Sequence, residues 1–141
     1  MKYLIELTEG QVRVVNNALD LYSRIWMGQI EEPFSILRLF TGRYPKTRDD
    51  ERSVREALET LKRVFFPELS QNAYHGIFSP ETDEQAKIAW EIYQALRNKL
   101  AWTNYPEGGF TVDFNEPVKV SEKETIPEVL VVEEGESGSC G

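Results

Sequence analysis

One histidine and one cysteine, His75 and Cys140, are all that 141 residues supply of the side chains most used in nucleophilic and zinc chemistry. A Ser/His/Asp triad, a Cys/His pair or a zinc site is therefore hard to assemble in one chain. A lone cysteine in a Gly/Ser tail excludes a disulfide framework and suits a reducing cytosol. No apolar run approaches the length of a membrane span, and Glu6 arrives too early for a signal peptide, so a soluble protein without membrane partners is expected. There is no Gly-x-x-x-x-Gly-Lys loop and no Gly-x-Gly-x-x-Gly; Glu107, Gly108, Gly109 and Phe110 precede a predicted strand where a dinucleotide fingerprint would follow one. Basic charge is also short. The net charge is −8, of which residues 121–141, with six Glu against one Lys, contribute −5. Duplex DNA, bound chiefly through phosphate neutralisation, is excluded as a partner; a small anion in a local basic pocket is not.

What is present fits one domain over residues 1–120 followed by an acidic, partly disordered tail over 121–141. Tyr3, Ile5 and Leu7 alternate with polar neighbours as a half-buried strand. Thr8 and Gln11 form a capping-box pattern for a helix striped by Val12, Val15, Leu19 and Tyr22 and stopped at Gly28. Pro33 suits the first turn of a short second helix with Phe34, Leu37 and Phe40 on one side, ended by Gly42. Asp49 or Asp50 caps a third, striped by Val54, Leu58, Leu61 and Phe65, and Pro67 enforces its end. Residues 67–81 read as a long ordered loop. Thr82 and Gln85 open a fourth helix running to about Trp102, with Ala89, Ile92, Tyr93, Leu96 and Leu100 inward. Phe110, Val112 and Phe114 alternate as a second strand, and Val129 to Val132 could add an edge. The expected fold class is α+β, with about four helices packed on a small antiparallel sheet. Two strands leave open edges, so oligomerisation as a dimer or higher is the simplest completion.

An aromatic fraction of 11% leaves rings beyond the needs of a core. Tyr22, Arg24, Trp26 and Gln29 end the first helix in recognition-type side chains, although Arg24 equally suits a helix C-terminus. Tyr74 and His75 lie in the long loop, where function and simple packing compete. Arg97, Trp102, Asn104, Tyr105 and Phe110 fall within one helix–turn–strand unit, and Asp113 lies on the strand face opposite the core. A cation, stacking rings and amide or carboxylate acceptors are the parts of a nucleotide pocket. Trp90 lies off its helix stripe and is a candidate subunit contact. The carboxylate pairs match no metal or acid/base spacing, and Asp49, Asp50, Glu81 and Asp83 read as helix-start or surface groups.

Ala-Leu-Asp-Leu-Tyr-Ser-Arg-Ile-x-Met-Gly-Gln at 18–29 and Asn-Ala-Tyr-x-Gly-Ile-x-Ser-Pro-Glu at 72–81 carry a family resemblance. Ile-Tyr-Gln-x-x-Arg at 92–97, Leu-Ala-Trp at 100–102 and Pro-Glu-Gly-Gly-x-Thr-Val-x-Phe at 106–114 extend it. Together they resemble small phage and prophage proteins of the anti-Thoeris sponge family, over most of residues 3–117. The resemblance implies a non-enzymatic counter-defence protein in the cytoplasm of an infected bacterial host. Such a protein would bind and sequester a cyclic ADP-ribose isomer, with cyclic oligonucleotides as a further ligand class. It also implies a homo-oligomer with pockets at subunit boundaries. Arg24, Tyr74, His75, Arg97, Trp102, Asn104, Phe110 and Asp113 are the residues able to fill the ligand-binding roles, with no catalytic residue, metal or cofactor. Asn98 and Lys99 stand where related sequences carry a second basic residue after Arg97. The rival readings are a protein-interaction module that binds a host protein and a metal-dependent phosphodiesterase using Asp113.

Overall fold

The computed structural model describes residues 1–32, 34–35 and 42–133, and the elements bounded among the described residues are three helices and one short turn of 3-10 helix. The helices are α1 (Glu9–Trp26), α2 (Arg48–Phe65) and α3 (Glu84–Asn104), and the 3-10 turn is Val112–Phe114. The described residues contain no β-strand, so the fold is all-α and the expected α+β class is corrected. Alternation marks a strand only when a neighbouring strand supplies backbone partners. Residues 1–7 find none among the described residues, and Tyr3, Leu4 and Ile5 stand 84%, 89% and 73% exposed. Around Phe110–Phe114 the chain turns at Gly108 (φ 82°) and coils into the 3-10 turn, leaving Phe110 and Val112 exposed. The expected helix over Pro33, Leu37 and Phe40 lies mostly outside the described residues, as do Arg38, residues 134–141 and Cys140.

The Thr8/Gln11 capping box forms as expected: the Thr8 amide donates to Gln11 Oε1 at 2.9 Å and the Gln11 amide to Thr8 Oγ1 at 3.3 Å. At the other end Gly28 adopts φ 89°, its amide donates to Ile25 O, and the Gln29 amide donates to Arg24 O. This is a complete Schellman stop, and a Cβ on Gly28 would also meet Leu69 Cδ1 at 2.6 Å. Thr47, rather than Asp49 or Asp50, caps α2. Asp83, rather than Thr82, caps α3, because the buried Thr82 hydroxyl donates to Gly76 O in the preceding loop.

α1 packs on α3, and α3 on the 3-10 turn; α2 packs on neither helix. Small side chains let α1 and α3 approach closely: Ala86, Ala89 and Ala95 are buried with Met27, and the Ser23 hydroxyl donates to Ala86 O at 3.1 Å. α2 is held through a polar bolt. Lys62 is 2% exposed, and its Nζ donates to Gln71 O at 2.8 Å and Ala73 O at 2.5 Å in the 66–83 loop. The expected inward stripe of α2 remains open, with Leu61 and Phe65 exposed. The loop is also pinned by the His75 amide on Met27 O and by Phe78 packed edge-on against Trp90.

Beyond the 3-10 turn, residues 115–123 run along α3 as an extended strap held by α3 side chains acting on backbone. Asn98 donates to Asp113 O and Asn115 O, and Gln94 both donates to Val118 O and accepts from the Val118 amide, all at 2.9–3.1 Å. Glu91 accepts from the Val120 and Ser121 amides at 2.6 Å and from the Ser121 hydroxyl at 2.7 Å, with Lys119 at 3.1 Å. Glu84 accepts from the Glu122 and Lys123 amides. A helix face thus supplies the partners that a neighbouring strand otherwise would.

Candidate functional site

The first half of α1, the last three turns of α3 and residues 105–114 enclose an open cleft of about 370 Å³. α1 contributes Arg13 and Asn16; α3 contributes Tyr93, Arg97, Leu100, Ala101 and Asn104; the closing segment contributes Tyr105, Thr111, Asp113 and Phe114. Arg97 is fixed over the Tyr93 ring, its Cζ 4.9 Å from the centroid, while its Nε lies 3.7 Å from the Asp113 carboxylate. Stacking and charge together set the guanidinium plane. Arg13 pairs with Glu9 at 2.6 Å, and the hydrogen bond from Arg13 is the main cause that holds the Glu9 carboxyl below its ordinary value. The Arg13 side chain is 56% exposed and open to an incoming anion, while that of Arg97 is 21% exposed.

The cleft wall depends on two glycines. Trp102 donates its indole N–H to Phe114 O at 3.1 Å and meets the Phe114 ring edge-on at 5.3 Å. A Cβ on Gly108 would lie 3.1 Å from Trp102 Cη2, and one on Gly109 2.5 Å from Phe114 Cε2. The Gly-Gly pair therefore lets the chain fold tightly over both rings. Asn98, through Asp113 O, holds the backbone that presents Asp113. Asn104 donates to Leu100 O, which leaves its Oδ1 to accept. Asn16 Oδ1 is buried and meets no donor in the protein, alone in that respect among the described residues' buried side-chain N and O atoms.

Of the eight sequence candidates, Arg97, Asn104 and Asp113 line this cleft and Trp102 buttresses its wall from behind. Phe110 is fully exposed and takes no part. Arg24 lies eight residues beyond Asn16, about 12 Å along the helix. There its Nε meets Asp20 at 3.0 Å, and its Nη1 meets Gln29 Oε1 at 2.8 Å and Glu32 at 3.7 Å. Within one chain it knits the helix end to the following turn, as the helix-terminus reading has it, while Tyr22 meets Trp26 edge-on.

His75 belongs to a second depression of about 460 Å³ with Glu68, Leu69 and Glu81. Its Nε2 lies 2.9 Å from Glu68 and its Nδ1 3.3 Å from Glu81. The bond to the His75 ring is the main reason Glu68 sits below its ordinary value. Two carboxylates around one imidazole repel an anion, so this depression lacks the charge for a phosphate. Tyr74 beside it is exposed.

Sequence reasoning placed Tyr105 in the Arg97 cluster without choosing it as a ligand contact, and it missed Arg13, Asn16, Tyr93, Thr111 and Phe114 as cleft residues. Periodicity assigns Tyr93 to the inward stripe of its helix and Phe114 to the apolar face of a strand. Arg13 and Asn16, one turn apart on α1, carried a usable signal: their spacing puts a donor and an amide on one helix face. The described residues include no group of three or more His, Cys, Asp or Glu side chains able to hold a metal ion. None of the described helices is long and apolar enough to cross a membrane. No family model matches the chain, and no curated protein or solved structure is significantly similar to it.

Proposed function

We propose that the protein binds a small phosphate-bearing nucleotide signal in the α1/α3 cleft and sequesters it unchanged, as a phage counter-defence sponge. The observation that carries this reading is Arg97, stacked on Tyr93 and facing Arg13 across a cleft walled by Tyr105 and Phe114. Guanidinium groups suit phosphate oxygens, flat walls suit a base, and Asp113 and Asn104 suit ribose or base edges. The cleft lining contains no cysteine, serine or histidine, and its one carboxylate, Asp113, faces an arginine. Binding without turnover is part of the proposal. The choice of a cyclic ADP-ribose isomer over other nucleotides, and the setting in the cytoplasm of an infected bacterial host, rest on the family resemblance. A homo-oligomer is part of the proposal, because the exposed apolar residues Tyr3 to Leu7 suit a second copy.

Calorimetric titration with cyclic ADP-ribose isomers tests the reading. Arg97→Ala should weaken binding at least tenfold, about 1.4 kcal/mol, while the circular dichroism spectrum is unchanged. Equal affinity in the variant would count against the cleft. A second reading, docking on a host protein, is favoured by the exposed side chains of Leu130, Val131 and Val132. A stoichiometric host partner retained by a protein that binds no nucleotide would support it instead.

A further inference from the structure

Asn16 lines the cleft with a buried side-chain oxygen that has no donor. A buried amide oxygen without a donor is costly, and such atoms are rare in folded proteins. Asn16 has a whole turn of α1 around it and no serine, threonine or amide within the cleft lining that reaches its Oδ1. The side chain is half-buried, so rotation about its last torsion, which is broad and two-fold, can turn the amide toward the cleft. Leu100 and Ala101 provide an apolar floor nearby, and Tyr93 and Phe114 provide rings. A sugar hydroxyl or phosphate is better served at the polar mouth by Asp113 and the two arginines. A flat heterocycle against apolar walls, carrying an N–H at its edge, is the group that suits an isolated acceptor there.

Resting on the nucleotide reading above, we infer that Asn16 is a specificity-determining residue of the cleft, accepting a hydrogen bond from the amino group of the ligand's heterocyclic base. A base with an oxo group at that edge can meet only the amide nitrogen, which leaves Asn16 Oδ1 without a donor, and it binds more weakly. The free protein carries an unsatisfied acceptor that the correct ligand alone satisfies. Asn16 is therefore a group whose removal stabilises the empty protein while removing discrimination.

The test compares two probes: a cyclic ADP-ribose isomer with a free adenine amine, and the same molecule with hypoxanthine in place of adenine. The wild-type protein should bind the amino form at least tenfold more tightly. Asn16→Leu should bring the two affinities to within about twofold and raise the melting temperature, and Asn16→Asp, which keeps an acceptor, should keep the preference. Equal wild-type affinities, or a preference that survives in Asn16→Leu, would overturn the role of Asn16 while leaving the nucleotide reading standing. Failure of the wild-type protein to bind either probe would overturn both.

Discussion

Glu91 is the side chain on which most of the C-terminal strap depends. It is 1% exposed and takes three donors from Val120 and Ser121 as well as the Lys119 ammonium. Burial, the largest single influence, acts to raise its carboxyl; the Ser121 hydroxyl and amide, the Val120 amide and Lys119 together outweigh it and hold the group below 4.5. Glu84 is lowered chiefly by the Lys123 amide. Groups lowered on folding contribute stability that is complete above their unfolded value and is lost as pH falls through the folded one. Acidification below about 4.5 should therefore loosen residues 118–123, read as falling amide protection factors at Val120 to Lys123. Glu91→Leu should cost about 2–3 kcal/mol in urea denaturation, since buried donors lose a charged acceptor. None of this was legible in the sequence, where Glu91 is one acid among many and its partners lie some 30 residues away.

Helix starts and stops follow from local chemistry, and both ends of α1 were readable, whereas the caps of α2 and α3 fall on Thr47 and Asp83 rather than on the residues expected. Thr8 with Gln11 and Gly28 mark the ends of α1 because each acts on backbone groups within a few residues. Gly28→Ala should cost about 1–3 kcal/mol, combining a positive φ with a clash at Leu69, and thermal unfolding would measure it. Lys62→Ala should leave the Gln71 and Ala73 carbonyls without a donor and expose the 66–83 loop to limited proteolysis well before α1 and α3 are cut. Strand periodicity was the misleading signal. Phe110, Val112 and Phe114 alternate, yet Gly108 and Gly109 fold the chain back so that only Phe114 packs, on Trp102. Propensity yields where a turn offers a better burial.

At the scale of the whole molecule, the buried apolar side chains are few and small: Met27, Ala86, Ala89 and Ala95. Large apolar residues stand exposed at both ends of the described chain, which suits a subunit that completes its core against a copy of itself. Deleting residues 1–7 should lower the sedimentation mass to that of a monomer. The candidate site was half legible. Arg97, Asn104 and Asp113 cluster in sequence on one helix–turn unit, but Arg13 and Asn16 enter only through the α1/α3 packing, which no local pattern announces. The α1/α3 cleft is proposed to hold a nucleotide signal without altering it. The most direct test is to incubate the purified protein with extract of signal-producing cells, wash, denature and identify released nucleotides by mass spectrometry. Stoichiometric release of an intact cyclic nucleotide is expected from the wild-type protein and little from Arg97→Ala; a cleaved product, or no nucleotide at all, would contradict sequestration in this cleft.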